Sequence, residues 1–383
     1  GIFFGFGGYC MAMFLKLESS DPESTKIQST PGIPDFMDWN QITELPFWWV
    51  PFNSFAFTLV AIIAVPVLFA FIIGLAMFKR RVGGVYFAII TQALALAMWL
   101  IFLRNETMLG GTNGLTDFKT LLGFDLSETS TKRGLYIVTF ITLFGAYYLS
   151  RFITNSKLGR ILVAIRDGEM RVRFIGYQIT NYKVFIFMVA SVMTAIGGML
   201  YVPQTGIITP GRMDVQASIE IVVWAAVGGR GTLIGPIIGA VILTLMNSLL
   251  SNYTELWMLY LGIMFVLTVL FLPRGFAGFI MMHRTAWIRG RLRSLLLPYL
   301  ITGVPALLFA TAGVAMIEML HHEGEAFHFL GLPLDSANLL HWLLCAVVAT
   351  FAYLGCKRTL PQLQEAWESA NAIDEADEER ERS

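Results

Sequence analysis

The sequence predicts an all-α fold: a polytopic integral membrane protein with about ten transmembrane helices. Of its 383 residues, 56% are hydrophobic and 14% are charged, where a soluble domain carries about 25% charged residues. Apolar runs close to the roughly 20 residues that cross a bilayer recur along the whole chain. The charges fall unevenly into alternate loops, although 27 Lys and Arg balance 27 Asp and Glu. With no net charge, nothing in the composition points to nucleic acid.

Taken in order, the spans are placed at 1–17, 55–78, 83–103, 134–153, 184–203, 214–229, 232–251, 256–273, 296–319 and 338–356. The chain opens in apolar sequence, GIFFGFGGYCMAMFLKL, without the basic n-region or small-residue cleavage site of a signal peptide. The first segment is therefore read as the remainder of a helix, with sequence expected upstream. The sixth, DVQASIEIVVWAAVGG, is short, and the basic residues decide whether it crosses. If all ten cross, 20 Lys and Arg fall in the loops at 79–82, 151–183, 230, 274–295 and 357–383, and 7 fall on the other side. Basic excess marks the cytoplasm, which places 18–54 outside and the C-terminus inside. Without a sixth crossing, the cluster Arg274 to Arg293 would lie outside.

The outer loops agree. Residues 18–54 are acidic and end in PFWWVPF, whose Trp48 and Trp49 suit the headgroup layer. Residues 104–132 form a long, polar, Gly-rich loop, and the acidic stretch 365–383 reads as a solvated helix or a disordered tail. Cys10, Cys345 and Cys356 sit in or beside apolar runs, with neither disulfide nor metal spacing. HHEGEAFH, His321 to His328, matches no metal motif, so no metal is assigned.

Between the fourth and fifth spans, KLGRILVAIRDGEMRVRFIGYQITNYK is charged and does not span. Leu158, Ile161, Leu162 and Ile165 recur at helical spacing, and Gly168 then interrupts. Two readings fit: an amphipathic helix resting on anionic lipid, or one docked on a cytoplasmic partner.

Several polar groups stand out within the apolar runs. Thr91 and Gln92 lie in the third span, either bonding helix to helix or lining a path. Glu220 lies in the sixth span and is either functional or close enough to the outer end to reach water. Gly110, Gly111, Asn113 and Gly114 form a tight turn, at the surface or dipping toward a pathway. Gly228, Gly229 and Gly231 around Arg230 break two late helices on the cytoplasmic side, which favours a gate or packing role.

GRILVAIRDGEMRVRFIGYQITNYKVFIFMVASVMTAIGGMLY resembles the cytoplasmic loop and following helix of permeases of the branched-chain amino acid type of ABC importer. VVWAAVGGRGTLIGPIIGAV resembles that family's Gly-rich turn. Ile90 to Leu94, Arg104-Asn105-Glu106 and Gly110 to Phe118 are similar to the family's urea-transporter branch. The resemblance covers 1–282, the permease core; 283–356 is an extension with two more spans, and 357–383 is an acidic cytoplasmic tail. It implies a permease subunit in a bacterial inner membrane, with Gly159, Arg160, Ala164, Arg166, Asp167, Glu169 and Gly176 in the loop that contacts an ATPase. It also implies a second homologous permease, two ATP-binding cassette ATPases and a periplasmic substrate-binding protein as partners, besides the lipid bilayer.

The chain contains no G-x-x-x-x-G-K-[ST] sequence, since GGRGTLIG lacks the Lys. A transport subunit and not an enzyme is expected, with no cofactor of its own and with ATP and Mg bound by the partner ATPases. Candidate pathway residues are Thr91, Gln92, Glu106, Thr112, Asn113 and Glu220. Urea, which is neutral, needs amides, hydroxyls and carbonyls; an amino acid or short amide is the alternative cargo. A stand-alone channel or secondary transporter is the more distant reading.

Overall fold

The computed structural model describes residues 1–19, 33–34, 36–37, 44–288, 290–322, 326–329 and 332–371. Each expected span coincides with a helix. Among the described residues, six helices are long and apolar enough to cross a membrane, and a bent pair makes a seventh if it is one span. The count of about ten is thus loose, because three of the expected spans are short helices. The chain divides into two compact units, Gly1–Val223 and Trp224 onward.

In the first unit, α1 (Ile2–Glu18) is central and almost wholly buried. Around it stand α2 (Phe55–Lys79), α3 (Val85–Phe102), α4 (Thr129–Asn155) and α6 (Ile179–Thr205); α5 (Lys157–Phe174) is the charged segment. Glycines let α1 and α6 touch backbone to backbone. A Cβ at Gly7 would strike the Ala195 carbonyl, and one at Gly198 would strike the Phe4 carbonyl. Such contacts hold helices together in lipid, where apolar burial supplies little driving force. At the C-terminal end of α1, the Glu18 carboxylate accepts the N–H groups of Leu122 (3.1 Å) and Gly123 (2.7 Å), fastening the loop before α4. Trp49, expected in the headgroup layer, is covered by protein. It is fully buried, against Phe36 and Trp48, and Phe47 is the exposed aromatic of that motif.

The chain after α6 makes the largest departure from the expected topology. Past Gly206 (φ 71°), strand β4 (Ile207–Ile208) pairs antiparallel with β1 (Leu115–Thr116), and a 3-10 turn over Pro210–Met213 leads to α7 (Val215–Gly228). This stretch runs back along α1. Ile208 Cδ1 lies 3.0 Å from where a Cβ would stand on Gly8, and Met213 fills the space at Gly5. At Gly1, Ser218 Oγ lies 2.8 Å from the corresponding position. Phe3 and Phe6 pack on Phe69, near the middle of the 25-residue α2. Helix α7 therefore begins beside the N-terminal half of α1, which packs near the middle of α2, and not level with the end of α6. Its 14 residues rise about 21 Å, less than a ~30 Å hydrocarbon layer.

In the second unit, the end of α7 meets α8 (Gly235–Leu250) through glycine: a Cβ at Gly228 would strike the Gly235 carbonyl, and one at Gly239 the Trp224 carbonyl. Helix α9 (Trp257–Phe271) bends by 51° into α10 (Gly275–Met282) and α11 (Arg284–Ile288). Helices α12 (Leu292–His321) and α13 (Leu339–Asn371) are joined through the hairpin β5 (Ala326–Phe329) and β6 (Leu332–Asp335). Strands β2 (Thr120–Leu121) and β3 (Phe124–Asp125) form a similar small hairpin in the first unit.

Glu318 of α12 is buried, and its Oε1 accepts hydroxyl protons from Thr254 (2.6 Å) and Tyr260 (2.8 Å). The region beyond residue 283 is thus bonded to the region before it. Glu318→Leu is expected to cost about 1–3 kcal/mol, because two hydroxyls lose their acceptor. Glu318→Gln keeps an acceptor and should cost less. Thermal unfolding of the purified protein checks both; equal melting of the Leu variant and wild type would remove the bond from the fold's supports.

Candidate substrate pathway and coupling loop

A cavity of about 240 Å³ lies where α1, α2, α3, α6 and the start of α7 meet. Its walls include Phe69, Phe87 and Phe187, with Thr91, Gln92 and Ser218 as the polar side chains; no lining side chain is charged. Thr91 and Gln92 project there because they fall one to two turns into α3.

The hydroxyl of Thr91 is satisfied within its own helix, at 2.9 Å from the carbonyls of Phe87 and Ala88, so it does not bond helix to helix. Gln92 Oε1 is buried and has no hydrogen-bond partner among the described residues. An orphaned amide oxygen in an apolar site costs about 1–3 kcal/mol, a cost that a ligand N–H would relieve. Ser218 Oγ donates to the Asp214 carbonyl (3.1 Å), and Asp214 Oδ1 accepts the Val215 N–H (2.6 Å) at the start of α7.

Asp214 and Ser218 escaped the sequence reading. The usable signal was the turn pair Pro210-Gly211, followed by Asp214 ahead of an apolar run, a helix-start signature.

The other pathway candidates lie elsewhere. Glu220 is exposed on α7, two residues past Ser218, and does not line the cavity. Glu106, Thr112 and Asn113 are exposed in the loop between α3 and α4. The turn they flank is nonetheless anchored inward. Gly110, Gly111 and Gly114 have φ of 82°, 53° and 69°, and a Cβ at Gly114 would strike the Ile208 carbonyl. The glycines thus seat the loop on the strand that leads to the cavity, while the polar side chains face out. In the second unit, Gly229 (φ 133°) and Gly231 (φ 88°) form the turn between α7 and α8.

Helix α5 carries the coupling candidates. Ile165 and Val172 are buried with Ile179, and Ile161 and Tyr182 pack beside them; Leu158 and Leu162 are half-buried. The backbone leaves the helix at Gly168. Arg160, Ala164, Arg166, Asp167 and Gly176 are exposed, whereas Gly159 is buried against Thr154. Glu169 is the junction: its Oε2 accepts from Lys183 Nζ of α6 (2.7 Å), and its Oε1 from Arg173 (3.4 Å). Arg166 pairs with Asp167 at 2.9 Å. An apolar patch also emerges here that charge counting missed, with Phe174 85% and Ile175 74% exposed.

In the extension, His321 Nε2 lies 3.6 Å from a carboxylate oxygen of Glu255 and His322 Nδ1 lies 3.8 Å from one of Glu318. Among the described residues, no three His, Cys, Asp or Glu converge to hold a metal.

Comparison with known proteins adds the family. A family model described as branched-chain amino acid transport system / permease component matches residues 1–269. The chain is 28% identical over 229 residues to the high-affinity branched-chain amino acid transport system permease protein LivM of Salmonella typhimurium, covering 54% of this chain and 53% of that one. It is 27% identical over 193 residues to BraD of Pseudomonas aeruginosa, another such permease, covering 46% and 61%. It is 26% identical over 175 residues to the autoinducer 2 import system permease protein LsrC of Yersinia pseudotuberculosis, covering 44% and 47%. The chain spans about half the length of these relatives. No solved structure matches it.

Proposed function

The chain belongs to the branched-chain amino acid transport system permease family, and on that premise we propose that it is the membrane-spanning subunit of an ATP-driven importer whose cargo is urea. The observation that carries the cargo assignment is the unpartnered Oε1 of Gln92 in a cavity without a charged side chain. Urea offers four N–H donors and one carbonyl. Gln92 Oε1 would accept one of the donors, the Gln92 amide N–H would serve the carbonyl, and Ser218 Oγ, whose proton goes to the Asp214 carbonyl, would accept a further N–H. A zwitterionic amino acid would bring an ammonium and a carboxylate that find no counter-charge on these walls.

The branched-chain amino acid reading has its own support. Phe69, Phe87 and Phe187 make an apolar wall, and the LivM and BraD relatives carry that substrate in their names.

Energy enters through α5. The Glu169–Lys183 pair ties α5 to α6, and α6 carries Phe187 to the cavity wall and packs on α1 through Gly198. A push on α5 by an ATPase would thus reach the cavity as rigid-body motion of packed helices. Helix α4, with only Leu135 of its 27 residues buried, leaves a broad apolar face for lipid or a second permease subunit. A periplasmic binding protein would deliver the cargo at the outer loops, and two ATPase subunits would complete the assembly.

The test is uptake by the assembled complex in proteoliposomes with labelled urea and labelled leucine. ATP-dependent accumulation of urea and not of leucine is the expected result. Accumulation of leucine alone would transfer the assignment to amino acids, and uptake by this chain without any ATPase would make it a channel or a secondary transporter.

A further inference from the structure

We propose that the junction of the core and the extension carries a binding site for an anionic phospholipid, built from α10, α11 and the start of α12. A groove of about 720 Å³ runs there, walled by Phe279, Met281, Trp287 and Leu292 and edged by His283 and Arg284. Its length of apolar wall suits an acyl chain, and its polar edge a phosphate.

Charge identifies the headgroup. From Leu256 to Ile317 the sequence contains no Asp or Glu, while Arg274, Arg284, Arg289, Arg291 and Arg293 fall within one short stretch. Arg284 and Arg293 are exposed. A guanidinium presents a fork of donors that matches phosphate oxygens. On α13, which brings Trp367 against His283, Glu365 and Glu368 stand beside Trp367 in sequence, and the five arginines outnumber these two carboxylates.

Aromatic groups place the groove at the membrane–water boundary. Trp287 is 72% exposed. His283 Nε2 is 2.8 Å from the Tyr299 hydroxyl, and its ring meets that of Trp367 at 4.9 Å. Trp and Tyr gather at the headgroup level, and basic residues on the cytoplasmic side. The 51° bend between α9 and α10 turns the chain away from the spanning direction at this point. Polybasic segments in this position are drawn to anionic headgroups.

The experiment is native mass spectrometry of the purified full chain in neutral detergent, with added dioleoylphosphatidylglycerol or dioleoylphosphatidylcholine. The wild type should retain phosphatidylglycerol about fivefold or more over phosphatidylcholine, since each arginine near an anionic surface contributes about that factor. Arg284→Gln with Arg293→Gln should bring the two lipids to parity, and Arg284→Lys with Arg293→Lys should keep most of the preference. Lys79→Gln, exposed at the end of α2, should leave the preference intact.

Equal retention of both lipids by the wild type, or an unchanged preference in the Gln pair, would overturn the site. Preference appearing only after removal of residues 372–383 would make the acidic tail the occupant and overturn it as well. A dimer that the Gln pair dissolves, with no lipid preference, would show an interface between copies instead.

Discussion

Glu169→Lys is expected to abolish ATP-driven uptake while the chain still inserts into the membrane. Glu169 holds two cations, Lys183 and Arg173, and through Lys183 it joins α5 to α6. Reversal places three positive charges together and opens that joint. The local energy is small: these side chains are between 31% and 40% exposed, and such pairs contribute about 0.2–1 kcal/mol each. The fold should therefore persist. Transmission should not, because coupling free energies of about 1–3 kcal/mol correspond to 5- to 150-fold, and here the link itself is lost. Arg166→Glu, in the exposed pair with Asp167, should act the same way by disturbing the docking face. The measurements are uptake, the amount of inserted protein, and substrate-stimulated ATP hydrolysis by the complex. Normal stimulation in assembled mutant complexes would remove α5 from the coupling path.

Gln92→Leu should lower urea uptake by about 5- to 150-fold, with assembly unchanged. Leu has nearly the size of Gln and no hydrogen-bonding group. If the amide merely bonded helices, its loss would cost about 0.6 kcal/mol, and uptake would stay within about threefold. As a pathway group, its loss strips a partner from a desolvated urea and costs about 1–3 kcal/mol, which gives the larger factor. The second case is the one expected, since Oε1 has no hydrogen-bond partner among the described residues. Initial rates at saturating binding protein, normalised to complex abundance, decide it. A well-assembled mutant within threefold of wild type would move the weight to Ser218 and Asp214.

Much of the architecture was legible in the residues. Apolar runs located every long helix, since a span of lipid demands a fixed length of apolar chain. The 3.6-residue recurrence of Ile161 and Ile165 gave α5 an apolar face, and the interruption at Gly168 appears where the backbone leaves the helix. Thr91 and Gln92 drew notice because polar groups in an apolar run need a reason, and both line the cavity. Other polar groups drew the same notice and lie outside the cavity. Glu220 looked deep because the run around it is apolar, yet α7 turns it away from the cavity. Trp49 looked interfacial by type, and Phe36 buries it.

Sequence by itself determined the class, the helix positions, the family and the presence of a charged non-spanning helix, all of which follow from local composition, periodicity and short motifs. Tertiary structure alone decided depth and convergence. Pro210-Gly211 marks a turn, but Gly1, Gly5 and Gly8 at and within α1, two hundred residues away, let the chain from Ile208 to Ser218 approach closely enough to start α7 beside α1. Glu318 could be seen as an acid near a helix end, but its partners Thr254 and Tyr260 belong to segments some sixty residues earlier. Packing between distant segments depends on the shapes of both surfaces at once, and no pattern along a single stretch records it.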